Sequence, residues 1–227
     1  MCIRDSHSPQ HTRRLLFTTC GVFALGLATL GPRVLGSDTL SIVGRLTQAM
    51  QAEDDAEFEA ILRRGLALHP GEPALALLAG THAASLRHPD TGSWLSIAME
   101  EAPGWGAPHA VAARWLLASG RTDQALLEIR EAERRDPGRG HAVLCEMLEH
   151  HPRLDTIKRA VPTEQRRIAH LNQTARCPRL PADLRVEIDH AILQSDPTDP
   201  GAVLREVRRL TTQARPRDAI PLLEVAI

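Results

Sequence analysis

Residues 112–137, which read AARWLLASGRTDQALLEIREAERRDP, are the most informative stretch of the sequence. Their apolar residues recur at three- and four-residue steps on both sides of a short polar turn, which is the spacing of one face of an α-helix. Gly120 supplies a permissive backbone where the first helix ends, and Thr122 or Asp123 can cap the second. Asp136-Pro137 ends the unit, because proline cannot continue the helical hydrogen-bond ladder. The stretch therefore predicts two amphipathic helices packed as a hairpin.

Prolines divide the neighbouring sequence into similar units. Pro70, Pro103 and Pro137 are 33 and 34 residues apart. Residues align at fixed distances before each proline and at one place on each preceding helix, and they are all aliphatic eight residues before it and all small five residues before it. The aligned sets are Phe58, Thr91 and Ala125; Leu62, Leu95 and Ile129; Gly65, Ala98 and Ala132; and Leu46, Ala79 and Ala113. One helical hairpin cannot bury its own apolar face, so these copies predict hairpins that stack and cover one another.

A 34-residue period with small residues where helices cross resembles the tetratricopeptide repeat. The resemblance implies an all-α fold: a right-handed α-solenoid of helix pairs preceded by one hydrophobic N-terminal helix. Under this interpretation, residues 37–138 form three repeats, 139–200 form degenerate helical repeats, and 201–227 begin a final repeat that is cut short. The implied function is a non-catalytic scaffold for protein–protein interaction.

In tetratricopeptide proteins the first helix of each pair lines a concave groove, so the resemblance also implies a binding surface. The groove positions are Ala76, Gly80, Ala83, Ala110, Arg114, Leu117, Leu204, Arg208 and Thr211. Such a groove suits a protein or peptide partner, with Arg114 and Arg208 contacting acidic groups. The simpler alternative is that both arginines are only solvated. The Lys/Asn set that clamps a carboxylate terminus in chaperone-binding members is absent.

Composition and motifs argue against several other functions. The formal net charge is −1, with three Trp, three Phe and no Tyr, so neither a basic field nor a base-stacking surface for nucleic acid is expected. There is no GxSxG elbow, phosphate loop, HExxH pair or dinucleotide fingerprint. The sequence therefore predicts neither an enzyme nor a small-molecule substrate site.

The cysteines and histidines were the remaining candidates for site chemistry. Cys145 and Cys177 could pair in an oxidising compartment, but buried free thiols are the favoured expectation. His141, Cys145 and Glu149 share one helical face at four-residue steps. A single helix face usually offers only two metal ligands, and no second helix clearly supplies the rest. No metal or other cofactor is therefore expected.

The amino-terminal residues differ from the repeats. Residues 1–11 are interpreted as a disordered or artefactual leader, and 12–36 as a signal or membrane-anchor helix that follows Arg13 and Arg14. The apolar segment contains Leu15, Phe17, Val22, Phe23, Leu25, Leu27 and Leu30. A cleavable signal, an uncleaved anchor and the last membrane helix of a larger protein all fit it, as does, less well, a buried first helix.

The charge pattern around this segment predicts a membrane-anchored or periplasmic protein with its repeats on the extra-cytoplasmic side. An alternative identity follows from the third interpretation. The chain would then be the extra-cytoplasmic C-terminal repeat domain of a polytopic membrane enzyme, such as an O-antigen ligase or a related glycan polymerase.

Overall fold

A computed structural model describes residues 37–161 and 163–226 of the chain. Within these ranges the fold is all-α, with twelve α-helices, two short 3₁₀ segments and no β-strand. The apolar segment at 15–30 lies outside the described residues. None of the described helices combines the length and hydropathy needed to cross a membrane. The predicted helical class is therefore confirmed for the part of the chain that the structure covers.

The chain divides into two compact units, Met1–Pro103 and Gly104–Ile227. The first contains α1 (Ser37–Gln51), α2 (Asp55–Leu68), α3 (Pro73–Ser85) and α4 (Thr91–Glu101). The second contains α5 (Gly106–Ala118), α6 (Thr122–Arg135), α7 (Arg139–His150), α8 (Leu154–Ala160), α9 (Arg167–Thr174), α10 (Ala182–Ser195), α11 (Pro200–Thr212) and α12 (Ile220–Ala226). The boundary falls after the second helix pair, inside the range predicted to hold three repeats.

Helices pack mainly against their sequence neighbours. In the first unit α1 contacts α2 and α3, and α3 contacts α4. In the second unit α5 contacts α6 and α7, and α6 contacts α7 and α8. Contact with the next helix and with the next but one is the pattern expected when helix pairs stack side by side.

Five helices end in the same way, with a C-terminal cap residue that directly precedes a proline. Their C-terminal caps are His69, Ala102, Asp136, His151 and Asp196, with φ between −142° and −131°. In each, the cap N–H donates to the carbonyl four residues earlier. The following proline ring disfavours the helical conformation in the residue before it, so the prolines of the sequence determine where these helices end.

The turn inside the helix pairs is also repeated. After α1, α3, α5 and α11 the chain passes through a left-handed residue: Glu53, Arg87, Gly120 and Ala214, with φ of 56°, 55°, 73° and 58°. At each turn this residue donates to the carbonyl three residues back, at 3.0–3.2 Å, and the next N–H donates to the carbonyl five residues before it, at 2.8–3.0 Å. These two bonds define the Schellman motif. Glycine occupies only one of the four places.

Nearly all the aligned positions are buried. Of the twelve residues in the four aligned sets above, all are buried except Leu62, which is partly exposed. Ala219, in the 3₁₀ segment before the last helix, is buried as well. The small residues are required by close approach: a Cβ on Gly65 would lie 3.0 Å from Ile42 and 3.2 Å from Leu75.

Two helices are preceded by a short 3₁₀ segment. Glu164–Arg166 forms a 3₁₀ turn, closed by the Arg166 N–H on the Thr163 carbonyl, before α9 begins. Pro216–Ala219 is likewise a 3₁₀ segment, and α12 begins at Ile220. Pro221 explains the second case, since proline is tolerated only in the first turn of a helix.

Candidate functional site

The predicted groove positions of the first unit are not accessible. Ala76, Gly80 and Ala83 lie on α3, and all three are buried. A Cβ at Gly80 would approach the Leu95 side chain to 2.7 Å, so α4 packs directly over this position. The helix PALALLAGTHAAS is apolar on almost every face, which is typical of a helix covered on several sides. These three residues therefore serve packing in the structure.

In the second unit, the groove positions of α5 are also largely occupied. Ala110 is fully buried, and Leu117 packs against the core. Arg114 donates from Nε and a terminal nitrogen to the two carboxylate oxygens of Glu146, both at 2.8 Å. Its side chain is 14% exposed, and this bidentate pair links the first helix of one pair to α7, the first helix of the next. The charge of Arg114 is thus already balanced within the protein.

The groove positions of α11 are the accessible ones. Leu204 is 51% exposed, and Arg208 and Thr211 are exposed on the same helix. The Thr211 hydroxyl donates to the Val207 carbonyl of its own helix. Among the described residues, Arg208 forms no side-chain ion pair. Of the nine predicted groove residues, these three could meet a partner without rearrangement.

A second cluster of reactive side chains joins α7 to the segment after α9. Cys145 and Cys177 form a disulfide, with their Cα atoms 5.6 Å apart. The expectation of buried free thiols was therefore wrong. The two cysteines are 32 residues apart, nearly one repeat period, as are Arg114 and Glu146. A separation of about one period is expected of residues on adjacent repeats, and it is the sequence feature that the two pairs share.

Two histidines lie against this disulfide. His141 Nε2 is 3.3 Å from Cys145 Sγ and 3.9 Å from Cys177 Sγ. The His170 ring packs edge-on against the His141 ring, with centroids 6.0 Å apart. Burial lowers the pKa of both histidines, although the carboxylate of Glu133 acts in the opposite direction. Both imidazoles are therefore neutral at neutral pH.

His141, Cys145 and Glu149 share a helical face, but no metal site was expected from them, and Glu149 does not join the other two. Glu149 is on the surface, 3.2 Å from Arg179. The third group near His141 and Cys145 is instead Cys177, and the candidate ligand atoms of these three lie within 4.8 Å of one another. From the sequence, Cys177 was considered only as a disulfide partner of Cys145 and not as a ligand near His141, because a loop, and not a second helix, supplies it.

The start of α7 is fixed by buried polar contacts. The Glu133 carboxylate accepts hydrogen bonds from the Gly138 N–H at 2.9 and 3.0 Å and from the His141 N–H at 3.1 Å. Gly138 has a φ of 91°, and a Cβ at Gly140 would lie 2.3 Å from the Ile129 carbonyl oxygen. Carboxylate capping and close backbone approach together hold the helix, and thus His141, in place.

The loop that carries Cys177 is held by one arginine. Arg185 on α10 donates to the carbonyls of Ala175, Cys177 and Leu180 at 3.1, 3.3 and 3.4 Å. Cys177 itself is 3% exposed. The loop is therefore anchored from a neighbouring helix, and its cysteine faces the cluster without depending on the disulfide alone.

Comparisons with protein-family models, with curated proteins and with solved structures find no significant match to this chain.

Proposed function

We propose that the protein is a non-catalytic scaffold for protein–protein interaction, built as a right-handed solenoid of tetratricopeptide-like helix pairs. Segment 15–30 would tether it to a membrane or direct its export, with the repeats on the extra-cytoplasmic side. The Cys145–Cys177 disulfide supports that side, because disulfides persist mainly in oxidising compartments.

The main support for the proposal is the turn that recurs after α1, α3, α5 and α11. Glu53, Arg87, Gly120 and Ala214 are four residues of different chemistry in one left-handed conformation, each closed by the same two hydrogen bonds. Left-handed geometry is unfavourable for three of the four. Its recurrence at the turn of four helix pairs supports a repeated helix-pair architecture, and arrays of that kind present extended binding surfaces.

The partner surface is proposed on α11. Leu204 offers an apolar contact, and Arg208 offers a charge that could pair with an acidic group on a peptide. Arg114 is assigned a different role from the one its sequence position implied. Its bidentate pair with Glu146 holds adjacent repeats together and would have to break before it could contact a partner.

A photo-crosslinking comparison tests the proposal. Leu204 and Leu127 are both leucines and both 51% exposed, but Leu204 is on the first helix of a pair and Leu127 is on α6, a second helix. A photoreactive amino acid at 204 should form a discrete adduct with a protein partner in extracts of the source cells, and the same residue at 127 should not. No adduct at 204, or equal adducts at both positions, would contradict the assigned surface.

Arginine variants refine the same experiment. Arg208→Glu should weaken the adduct formed at position 204, because it reverses the only charge placed on the proposed surface. Arg217→Glu is the matched control, since Arg217 is equally an exposed arginine but lies in the 3₁₀ segment before α12. Equal loss in both variants would indicate a nonspecific charge effect and would contradict an acidic contact at Arg208.

A further inference from the structure

The cluster around the disulfide has the composition of a metal site. We propose that, when the Cys145–Cys177 disulfide is reduced, the two thiolates bind one Zn²⁺ together with the imidazoles of His141 and His170. Two sulfur and two nitrogen ligands are a common set for tetrahedral structural zinc. The proposal does not depend on the partner surface, because α11 contributes none of these four residues, and it applies only where a thiol reductant is present, unlike the oxidising side on which the disulfide persists.

Three of the four ligands are already close together. The donor atoms of His141, Cys145 and Cys177 lie within 4.8 Å of one another. His141 and Cys145 are four residues apart on α7, so both project from one face of that helix. Two thiolates on one tetrahedral zinc lie roughly 3.8 Å apart, given Zn–S bonds of about 2.3 Å. The two Cα atoms are 5.6 Å apart, and the proposal requires the two side chains to rotate after reduction until their sulfur atoms reach that separation.

His170 is proposed as the fourth ligand because its ring packs against His141 and one of its ring nitrogens has no partner. It is 4% exposed, and its Nε2 atom is buried without a hydrogen-bond partner among the described residues. Imidazoles that share a tetrahedral zinc have ring centroids roughly 5 Å apart, from Zn–N bonds of about 2.0–2.1 Å. The observed separation from His141 is 6.0 Å, so the His170 side chain has to move towards the other three ligands to complete the set.

The change from disulfide to zinc site takes two steps, reduction and metal binding. A dithiol reductant gives two electrons and two protons to the disulfide; the S–S bond breaks, two thiols form, and the reductant becomes a disulfide. Zn²⁺ then displaces both thiol protons, which go to solvent, and forms two Zn–S bonds. Oxidation and zinc binding are therefore mutually exclusive, and either one links α7 to the segment that follows α9.

The test uses the full chain with Cys2 and Cys20 replaced by serine, so that only the two cluster cysteines react. The protein is prepared oxidised and, separately, reduced with a phosphine, which does not compete for zinc as a dithiol would. Each form is titrated with Zn²⁺, followed by metal analysis after gel filtration, and with Co²⁺, followed by visible absorption. The reduced form should bind one ion per chain and show tetrahedral cobalt bands with thiolate charge transfer; the oxidised form should bind none.

Variants assign the ligands. Cys145→Ser, Cys177→Ser and His141→Ala should abolish stoichiometric binding by the reduced chain. His170→Ala should weaken it by more than the roughly 10–100-fold that loss of an outer-shell partner costs. Glu149→Gln is the control, because this carboxylate is on the same helix but lies on the surface beside Arg179. It should bind zinc as the parent does.

Two results would overturn the proposal. The first is the absence of stoichiometric uptake by the reduced parent chain, a comparison that needs no substitution and so does not depend on whether a variant folds. The second is cobalt binding without thiolate charge transfer, which would place the ion elsewhere. If His170→Ala binds as the parent does, the assignment of His170 is wrong.

Discussion

Arg87 allows the repeated turn to be tested thermodynamically. In the structure it is exposed and has a φ of 55°. Left-handed geometry destabilises an L-residue by about 1–2 kcal/mol, whereas glycine adopts it without that penalty. Glycine also increases the conformational entropy of the unfolded chain, which lowers the free energy of unfolding by about 0.4–1 kcal/mol. Arg87→Gly should therefore raise the free energy of unfolding by about 0.5–1 kcal/mol.

Arg63 provides the matched control for this substitution. It is also an exposed arginine, but it lies within α2. Glycine in a helix interior is less favourable than alanine by about 0.8–1.0 kcal/mol, and arginine is nearly as good a helix former as alanine. Arg63→Gly should therefore lower the free energy of unfolding by nearly 1 kcal/mol. The same chemical change thus has opposite signs at the two positions.

The assay is urea unfolding followed by far-ultraviolet circular dichroism on the full chain. The midpoint should shift upwards for Arg87→Gly and downwards for Arg63→Gly, with unchanged slopes. For a chain of this size, 1 kcal/mol corresponds to roughly 2–4 °C in Tm, so thermal melts provide a second readout. If Arg87→Gly destabilises as much as Arg63→Gly, position 87 is not left-handed and the equivalence of the turns fails.

Three further predictions concern packing, pH and ion pairing. Gly140→Ala should destabilise by about 1–3 kcal/mol because its methyl group meets the backbone of α6, whereas Gly44→Ala, in open space on α1, should stabilise by about 0.8–1.0 kcal/mol; urea midpoints distinguish them. Burial lowers the pKa of His82 in the folded chain, so below about pH 6.5 the unfolded chain takes up a proton that the folded chain does not. The contribution of neutral His82 to stability is therefore complete above that pH and declines as pH falls through it. His82→Leu should reduce the loss of Tm between pH 7.5 and pH 5.5. Arg114→Ala should cost about 1 kcal/mol because it breaks a bidentate pair, and Arg208→Ala should change the urea midpoint little; equal effects would contradict the distinction between the two arginines.

The helices and their ends could be predicted because local signals determine them. Apolar spacing marks the buried faces, and a proline such as Pro70 or Pro137 excludes the helical conformation from the residue before it. The left-handed turns were predictable only at Gly120. At Glu53 and Arg87 the side chain gives no sign of such a conformation, and packing between the paired helices determines it.

The candidate sites were less predictable because they depend on which repeats become neighbours. Cys177 lies in a loop, so helical periodicity said nothing about its distance from Cys145. Glu146 was not recognised as the partner of Arg114, although both pairs are separated by 32 residues. Burial of Ala76 and Ala83 could not be foreseen either, since family resemblance gives the helix but not what covers it.

The most direct test of the repeat architecture is a measurement of backbone conformation at the four turns by nuclear magnetic resonance, from chemical shifts and N–H to Hα couplings of the full chain. The account predicts positive φ at Glu53, Arg87, Gly120 and Ala214 alike, with slow exchange of the four amides that follow them. Helical or extended shifts at Glu53, Arg87 and Ala214, leaving only the glycine left-handed, would show that the helix pairs are not copies of one unit.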